Sequence, residues 1–220
     1  MAGRAFFCSW SGGKDSALAL YYALRQGGAP RCLLTMLDET GARSHSHRLP
    51  RSLLEKQGES LGLPVVFRAA SWSGYEAEFL AALREIEAKG VQAGVFGDID
   101  LESHRAWVHR TCAAAGITPY HPLWKRARRE LLEEFIRLGF KATIVAVDGR
   151  RLDRDFLGRD LDPSTLADLE RAGIDPAGEE GEYHTVVTNG PIFAFQVRVR
   201  EKGRVGHDGY WFLDLEVCPE

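Results

Sequence analysis

Six residues near the start of the chain, Ser11-Gly12-Gly13-Lys14-Asp15-Ser16, leave little freedom in how it folds. Before them runs the apolar segment Ala5-Phe6-Phe7-Cys8, and after them Ala17 to Leu24 has helix composition and is closed by Gly27-Gly28. The pattern predicts strand, tight loop, helix. Glycine accepts the dihedrals of such a loop and puts no Cβ in the way, so backbone N–H groups can turn toward an anion. The helix opening at Asp15 or Ser16 adds its positive end. Lys14 supplies a mobile charge, and Ser9, Ser11 and Ser16 supply hydroxyls. This is a cradle for phosphates, with a spacing different from the Gly-x4-Gly-Lys-Ser/Thr loop of the P-loop proteins.

The alternation continues. Cys32 to Leu37 reads as a buried strand, Pro50 to Leu61 as a helix stopped by Gly62 and Pro64, and Val65-Val66-Phe67 as a third strand. Tyr75 to Lys89 carries Phe79, Leu80, Leu83 and Ile86 on one face of a helix, and Ala93 to Gly97 gives a fourth strand. Strands and helices spaced this way predict an α/β fold, a doubly wound parallel sheet with ligands at the carboxyl ends of its strands. Past Ile117 the pattern loosens, and a boundary is expected near Tyr120 to Lys125, dividing residues 1–122 from 123–220. A charged helix from Ala127 to Leu138 and a strand from Ala142 to Val147 follow. The alternating segment Phe193 to Arg200 and the segment Tyr210 to Val217 read as two half-exposed strands of a second, smaller α/β domain.

With a net charge of −3, no global field argues for a nucleic-acid or membrane partner. Cys8, Cys32, Cys112 and Cys218 have no short spacing, so a zinc site, a redox pair or a disulfide scaffold is not indicated. The apolar start is too brief for a signal segment or a membrane span, and the expected location is cytoplasmic.

Other residues are candidates for chemistry. Gly178-Glu179-Glu180-Gly181-Glu182-Tyr183-His184-Thr185 crowds three carboxylates around Gly181 and leads into an apolar segment, so part of it should lie against a sheet. A carboxylate held there could bind ammonium and take its proton; Glu182 is the candidate, with His184 and Thr185 orienting an acceptor. Asp98 and Asp100 follow the fourth strand, and His104 and Arg105 begin the next helix. Asp98 could hold Mg²⁺ or the acceptor, whereas Asp100 reads equally well as a solvated turn and His104 as a helix-end histidine. Asp148-Gly149 reads as a turn. His45 and His47 sit in a long polar loop read as a mobile lid rather than a metal pair. Lys125, Arg126, Arg128 and Arg129 read as a solvated helix face, or else a dock for a phosphate-rich partner. Trp72, Trp107 and Trp211 are expected in the core.

The loop Ser11 to Ser16 after a first strand is similar to the pyrophosphate loop of the adenine-nucleotide alpha-hydrolases, a HUP-like class of ATP pyrophosphatases. Gly178 to Thr185 resembles the Gly-Glu-x-Gly-Glu-aromatic-x-Thr signature of diphthine–ammonia ligases, and Phe96-Gly97-Asp98-Ile99 and Pro122-Leu123-Trp124 look like further segments of that family. The resemblance implies an ATP-dependent amidoligase: a carboxylate is adenylated and then amidated with ammonia, releasing AMP and pyrophosphate. It implies ATP held by Ser9, Ser11, Gly12, Gly13, Lys14, Asp15, Ser16, Thr35, Met36 and Gly97, with Thr35 and Met36 near adenine, and Mg²⁺ on Asp15. Lys14, Asp15 and Glu182 would be catalytic, and Asp98, His104, Glu180, Gly181, Glu182, His184 and Thr185 would take the acceptor.

The chain resembles the short archaeal and bacterial form of the family. The implied acceptor is diphthine on elongation factor 2 if the protein is archaeal. In a bacterial setting it is another, small carboxylate, such as a corrinoid side chain. No membrane is implied, and a homodimer is among the assemblies allowed. Two rival readings are a tRNA-modifying, sulfur-transferring ATP pyrophosphatase, which would need catalytic cysteines, and a nucleotide sensor of universal-stress type, which would have no use for Lys14 beside an acidic second domain.

Overall fold

The computed structural model describes residues 1–219. Its first half alternates β1 (Ala5–Ser9), α1 (Lys14–Arg25), β2 (Ala29–Leu37), α2 (Arg51–Leu61), β3 (Val65–Ala69), α3 (Tyr75–Glu87), β4 (Ala93–Val95), α4 (Glu102–Ala113) and β5 (Thr118–Tyr120). The five strands form one parallel sheet in the order β3-β2-β1-β4-β5. The chain winds outward from β1 to β3 and then returns to β4 on the other side of β1. The crevice beyond the carboxyl ends of β1 and β4 is therefore a topological switch point, where open α/β sheets bind ligands. Strand β5 lies in the stretch whose pattern loosens in the sequence. It is three residues long and contains Pro119, which an edge strand tolerates and a central one does not.

The second half adds α5 (Arg128–Arg137), β6 (Lys141–Asp148), α6 (Pro163–Arg171), β7 (Tyr183–Asn189), β8 (Val199–His207) and β9 (Tyr210–Val217). Its strands form an antiparallel sheet ordered β7-β6-β9-β8. Helix α6 starts from a side-chain cap, Asp162 accepting from the Thr165 N–H, with Pro163 at its first turn. The expected strand Phe193 to Arg200 is corrected: only Val199 and Arg200 belong to a strand. The reason lies in α2, where the Ser60 carbonyl accepts from Ala194 N–H while its hydroxyl accepts from Phe195 N–H and donates to the Phe195 carbonyl. Those groups are thereby diverted from any ladder.

One contiguous core runs through both halves, with Phe6, Leu20, Leu33 and Leu54 from the first and Phe135, Ile144, Val186 and Val187 from the second in the same cluster. Where they meet, the Val187 N–H donates to the Gly12 carbonyl at 2.9 Å. Gln57, completely buried, accepts from Trp10 Nε1 at 2.9 Å and donates to the carbonyls of Gly12 (3.0 Å) and Val187 (2.7 Å). Both N–H groups and the oxygen of that amide are hydrogen-bonded, as a buried polar group requires. Among the described residues, no helix is long and apolar enough to cross a membrane.

Candidate active site

Gly12 adopts φ +83°, a left-handed conformation that L side chains rarely take, and a Cβ there would strike Leu49 and Gln57. This turn throws the loop across the end of β1. The Ser16 hydroxyl donates to the Gly13 carbonyl at 3.0 Å and lies 3.2 Å from the Ser11 hydroxyl, which accepts from Gly13 N–H. At the start of α1 the Lys14 N–H donates to the Thr185 hydroxyl at 3.1 Å, so a residue of β7 satisfies a first-turn donor that the helix leaves open. Gly97, beyond β4, lies so close to α1 that a Cβ would come 2.8 Å from the Asp15 carbonyl carbon. The sequence thus requires glycine where the two central strands converge on the helix start.

Around this point opens a cavity of about 690 Å³. Its wall is drawn from both halves: Ser9, Ser11, Lys14, Asp15 and Ser16 on one side, and Gly178 to Gly181 with Tyr183, His184 and Thr185 on the other. Gly97, Asp98 and His104, with His45, Ser46 and His47, add to the polar part. A second arm is aromatic, with Trp72, Tyr75, Phe79, Phe96 and Trp107. Trp72 is 72% exposed and stacks with His45 (4.5 Å between centroids) and Tyr75 (5.8 Å). The expectation that Trp72 belongs to the core is therefore corrected, whereas half-buried Trp107 packs against the core while also edging the cleft.

Lys14 is buried, its Nζ 2.7 Å from Asp15 Oδ2 and 5.3 Å from the centre of the Tyr183 ring. Burial holds the Asp15 carboxyl above its usual range, against the pull of Lys14. Glu179 also faces the cavity. Its Oε1 accepts from Ile99 N–H at 3.2 Å, and burial, reinforced by the charge of Asp15, pushes its pKa up to about 7. Asp98 Oδ2 is 3.2 Å from Nδ1 of buried His121, and Oδ1 is 3.9 Å from Nδ1 of exposed His104. His47 Nδ1 lies 2.9 Å from the Thr185 carbonyl and its ring stacks on His184 at 4.6 Å. Burial lowers His47 to about 4 and His184 well below its ordinary value, so both rings are neutral at physiological pH.

Not every expected residue reaches the cavity. Glu182 is 1% exposed and does not line it; its Oε1 pairs with Arg151 at 2.7 Å and its Oε2 accepts from the Glu180 N–H at 3.1 Å. Thr35 and Met36 are buried below the wall, the Thr35 hydroxyl donating to the Trp10 carbonyl at 2.7 Å. Asp100 is no solvated turn, since it takes a two-pronged contact from Arg128. Arg126 pairs with Glu134 and Arg129 with Glu170, so this basic run is knitted into the fold. Asp148 caps its own turn by accepting from Arg150. The loop of His45 and His47 does reach the cavity; it is laced by backbone bonds such as Ser44 N–H to Leu49 O and tied by Arg43 to Asp214 at 2.7 Å. Glu179, His121 and the aromatic arm were missed by sequence reasoning. His121 directly precedes Pro122-Leu123-Trp124, and Glu179 stands within the acidic cluster, so proximity to recognisable segments was the available signal.

Among the described residues no three His, Cys, Asp or Glu side chains converge as a metal cage. That is compatible with Mg²⁺, which is commonly held by one or two carboxylates together with substrate phosphates. Asp15 and Asp98, beside the phosphate loop, are carboxylate donors on the cavity wall. Cys8, Cys32 and Cys112 are buried with their thiols pushed up, Cys112 to about 12, and no cysteine lines the cavity. Sulfur transfer has no nucleophile here.

Two family models match in tandem: the diphthamide synthase N-terminal domain over residues 5–119 and the diphthamide synthase C-terminal domain over residues 127–218. A diphthine–ammonia ligase from Mus musculus is 26% identical over 93% of this chain and 86% of its own length. One from Homo sapiens is 30% identical over 72% of this chain and 61% of its own. Among solved structures, a predicted subunit of tRNA methyltransferase from Methanocaldococcus jannaschii aligns with 85% of this chain and 98% of its own, at 15% identity and a TM-score of 0.44. With the phosphate loop and the acidic loop facing each other across one cavity, and both halves matched in order, the chain belongs to the diphthamide synthase family.

Proposed function

We propose that the cavity is where this ATP-dependent ligase joins ammonia to a carboxylate, with residues 1–122 presenting ATP and residues 123–220 the acceptor. The observation that carries the reading is that one cavity has the phosphate loop as one wall and the acidic loop as the other. An acceptor between them can meet the nucleotide and the nitrogen nucleophile without leaving the site.

In the first step a carboxylate oxygen of the acceptor attacks the α-phosphorus of ATP, and the bond to the departing pyrophosphate breaks. Lys14 and the loop N–H groups hold the developing charge, the term that dominates phosphate chemistry. Mg²⁺ on Asp15 and Asp98 would supply further neutralisation there. The aromatic arm offers flat faces to the purine. In the second step ammonia attacks the acyl carbon of the adenylate and the bond to AMP breaks.

The proton of the incoming ammonium goes to a carboxylate. Glu179 takes this task over Glu182, because it lines the cavity and its pKa of about 7 suits a base at neutral pH. Neutral His47 and His184 keep a second positive charge away from Lys14, and Thr185 ties the acceptor wall to the helix start. The relatives' names point to diphthine as the acceptor, carried on elongation factor 2 in the archaeal-type reading, with a small carboxylate as the alternative.

The test supplies MgATP and ammonium with diphthine-bearing elongation factor 2, or with a panel of small carboxylates, and follows AMP, pyrophosphate and amide. Stoichiometric AMP, pyrophosphate and amide from one of these acceptors is expected. Production of ADP and phosphate, or adenylation with no ammonium-dependent product from any acceptor, overturns the reading.

A further inference from the structure

Arg128 is the first residue of α5 and belongs to neither wall of the cavity, yet it holds both. Its Nε and Nη2 donate to Asp100 at 2.8 and 2.7 Å, and its Nη1 donates to Asp175 Oδ2 at 2.8 Å. Asp100 stands on the loop beyond β4, and Asp175 opens the turn that carries the acidic loop. The same Asp175 Oδ2 accepts from Glu179 N–H at 2.9 Å, and its Oδ1 accepts from Ala177 N–H at 3.0 Å. Glu179 then reaches back with Oε1 to Ile99 N–H, one residue before Asp100. The contacts close a ring: Ile99, Asp100, Arg128, Asp175, Glu179 and Ile99 again.

Every link that crosses between the halves in this ring passes through Arg128 or through the Glu179 carboxylate itself. When Glu179 takes up a proton or turns toward a substrate, its bond to Ile99 weakens, and Arg128 is then the ring's remaining tie between the turn and the loop beyond β4. A guanidinium suits this place because its planar fork serves two carboxylates at fixed angles, which an ammonium cannot do. Hydrogen bonds to Asp100, reinforced by the charge of Asp175, hold Arg128 charged against the effect of its own burial.

We propose that Arg128 is a positioning residue for the amidation step: it clamps the Asp175–Glu180 turn to the Asp100 loop and so fixes where the Glu179 carboxylate stands. This rests on the reading of Glu179 as the base that receives the ammonium proton. Misplacing a reacting group by about 1 Å can cost roughly 10²-fold, so releasing the clamp should be felt in amidation and hardly at all in nucleotide binding.

The experiment compares Arg128→Ala, Arg128→Lys and Glu179→Gln with the parent chain. MgATP affinity is measured by calorimetry, pyrophosphate and amide are followed with diphthine-bearing elongation factor 2, and backbone hydrogen exchange is read over residues 175–180. For Arg128→Ala the expected result is unchanged MgATP affinity, near-normal pyrophosphate release, about tenfold less amide per pyrophosphate, and faster exchange at Ala177 and Glu179. Arg128→Lys should lie closer to Ala than to the parent, because charge without the fork does not restore the ring. If Arg128→Ala keeps the parent's amide-to-pyrophosphate ratio while Glu179→Gln loses it, the clamp is dispensable and the proposal is overturned. If Glu179→Gln keeps that ratio, the underlying reading of Glu179 fails instead, and unchanged exchange in Arg128→Ala overturns the clamp independently. Should Arg128→Ala not fold, Asp175→Asn removes the same link from the other side and carries the same expectations.

Discussion

The two loops that face each other across the cavity are built on opposite plans. The phosphate loop is a backbone device: Gly12 in the left-handed region, Gly13 where a Cβ would strike His47, and a helix start placed by the sheet. The acidic loop is a side-chain device, its turn held by Asp175, Arg128, Arg151 and Glu182 rather than by a regular element. A backbone device is encoded within a few consecutive residues. A side-chain device needs partners far away in the chain, so side-chain substitutions at a distance should disturb the second loop more than the first.

The sharpest break between the two is expected at Lys14. Lys14→Ala removes the one mobile charge aimed at the phosphates, and turnover should fall by about 10²–10³-fold, as when a preorganised donor is lost from a transition state. Steady-state pyrophosphate release beside a thermal melt checks this; equal losses of stability and activity would show that Lys14 is structural. On the opposite wall, Glu179→Gln should lower the amidation step by about 10²-fold while adenylation continues. Glu182→Gln should instead loosen the loop without changing amide per pyrophosphate, because its carboxylate meets Arg151 and not the cavity. The ratio of the two products in each variant decides which carboxylate receives the proton.

The seam between the plans can be probed at Gln57. Gln57→Leu leaves the carbonyls of Gly12 and Val187 without a side-chain donor in a dry interior, and about 1–3 kcal/mol of stability should be lost. Denaturant unfolding measures it, and an unchanged midpoint would mean that Val187 N–H alone supports Gly12. The smallest effect expected is a dependence on pH. His47, held to about 4 in the fold, protonates near its ordinary value when unfolded, so the unfolded chain binds more protons between about pH 6.5 and 4. Stability from this ring is intact above that window and declines as pH falls through it. His47→Asn should flatten the acid limb of the melting profile.

How far the sequence alone could be read follows the same division. The first half was legible because each buried strand, glycine stop and amphipathic helix announces itself locally, and β5 escaped only because three residues with a proline carry no period. The site was legible where it is backbone: Ser11 to Ser16 stand where the loop pattern placed them. Glu182, favoured from the sequence, meets Arg151 rather than the cavity, since alternation along a short acidic segment does not reveal which member meets Arg151 and which meets Ile99. Phe193 to Arg200 misled for a related reason. Its period is that of a strand, but Ser60 of α2, far off in sequence, claims its backbone groups. Trp72 was assigned to the core on size alone, and size is silent about a cleft that forms only when α3, α4 and the second half come together.

The Val187 bond to Gly12 and the Thr185 bond to Lys14 mean that the nucleotide half borrows part of its own scaffolding from the other end of the chain. Cut after residue 122, the first half would keep every residue of its phosphate loop but lose a partner for the Gly12 carbonyl, the cap on α1 and the far side of its core. Such a fragment would carry the complete nucleotide motif in writing and lack it in shape. The two halves should accordingly melt in a single calorimetric transition, and mixing separately made fragments, rather than studying either alone, is the way to recover nucleotide binding from pieces.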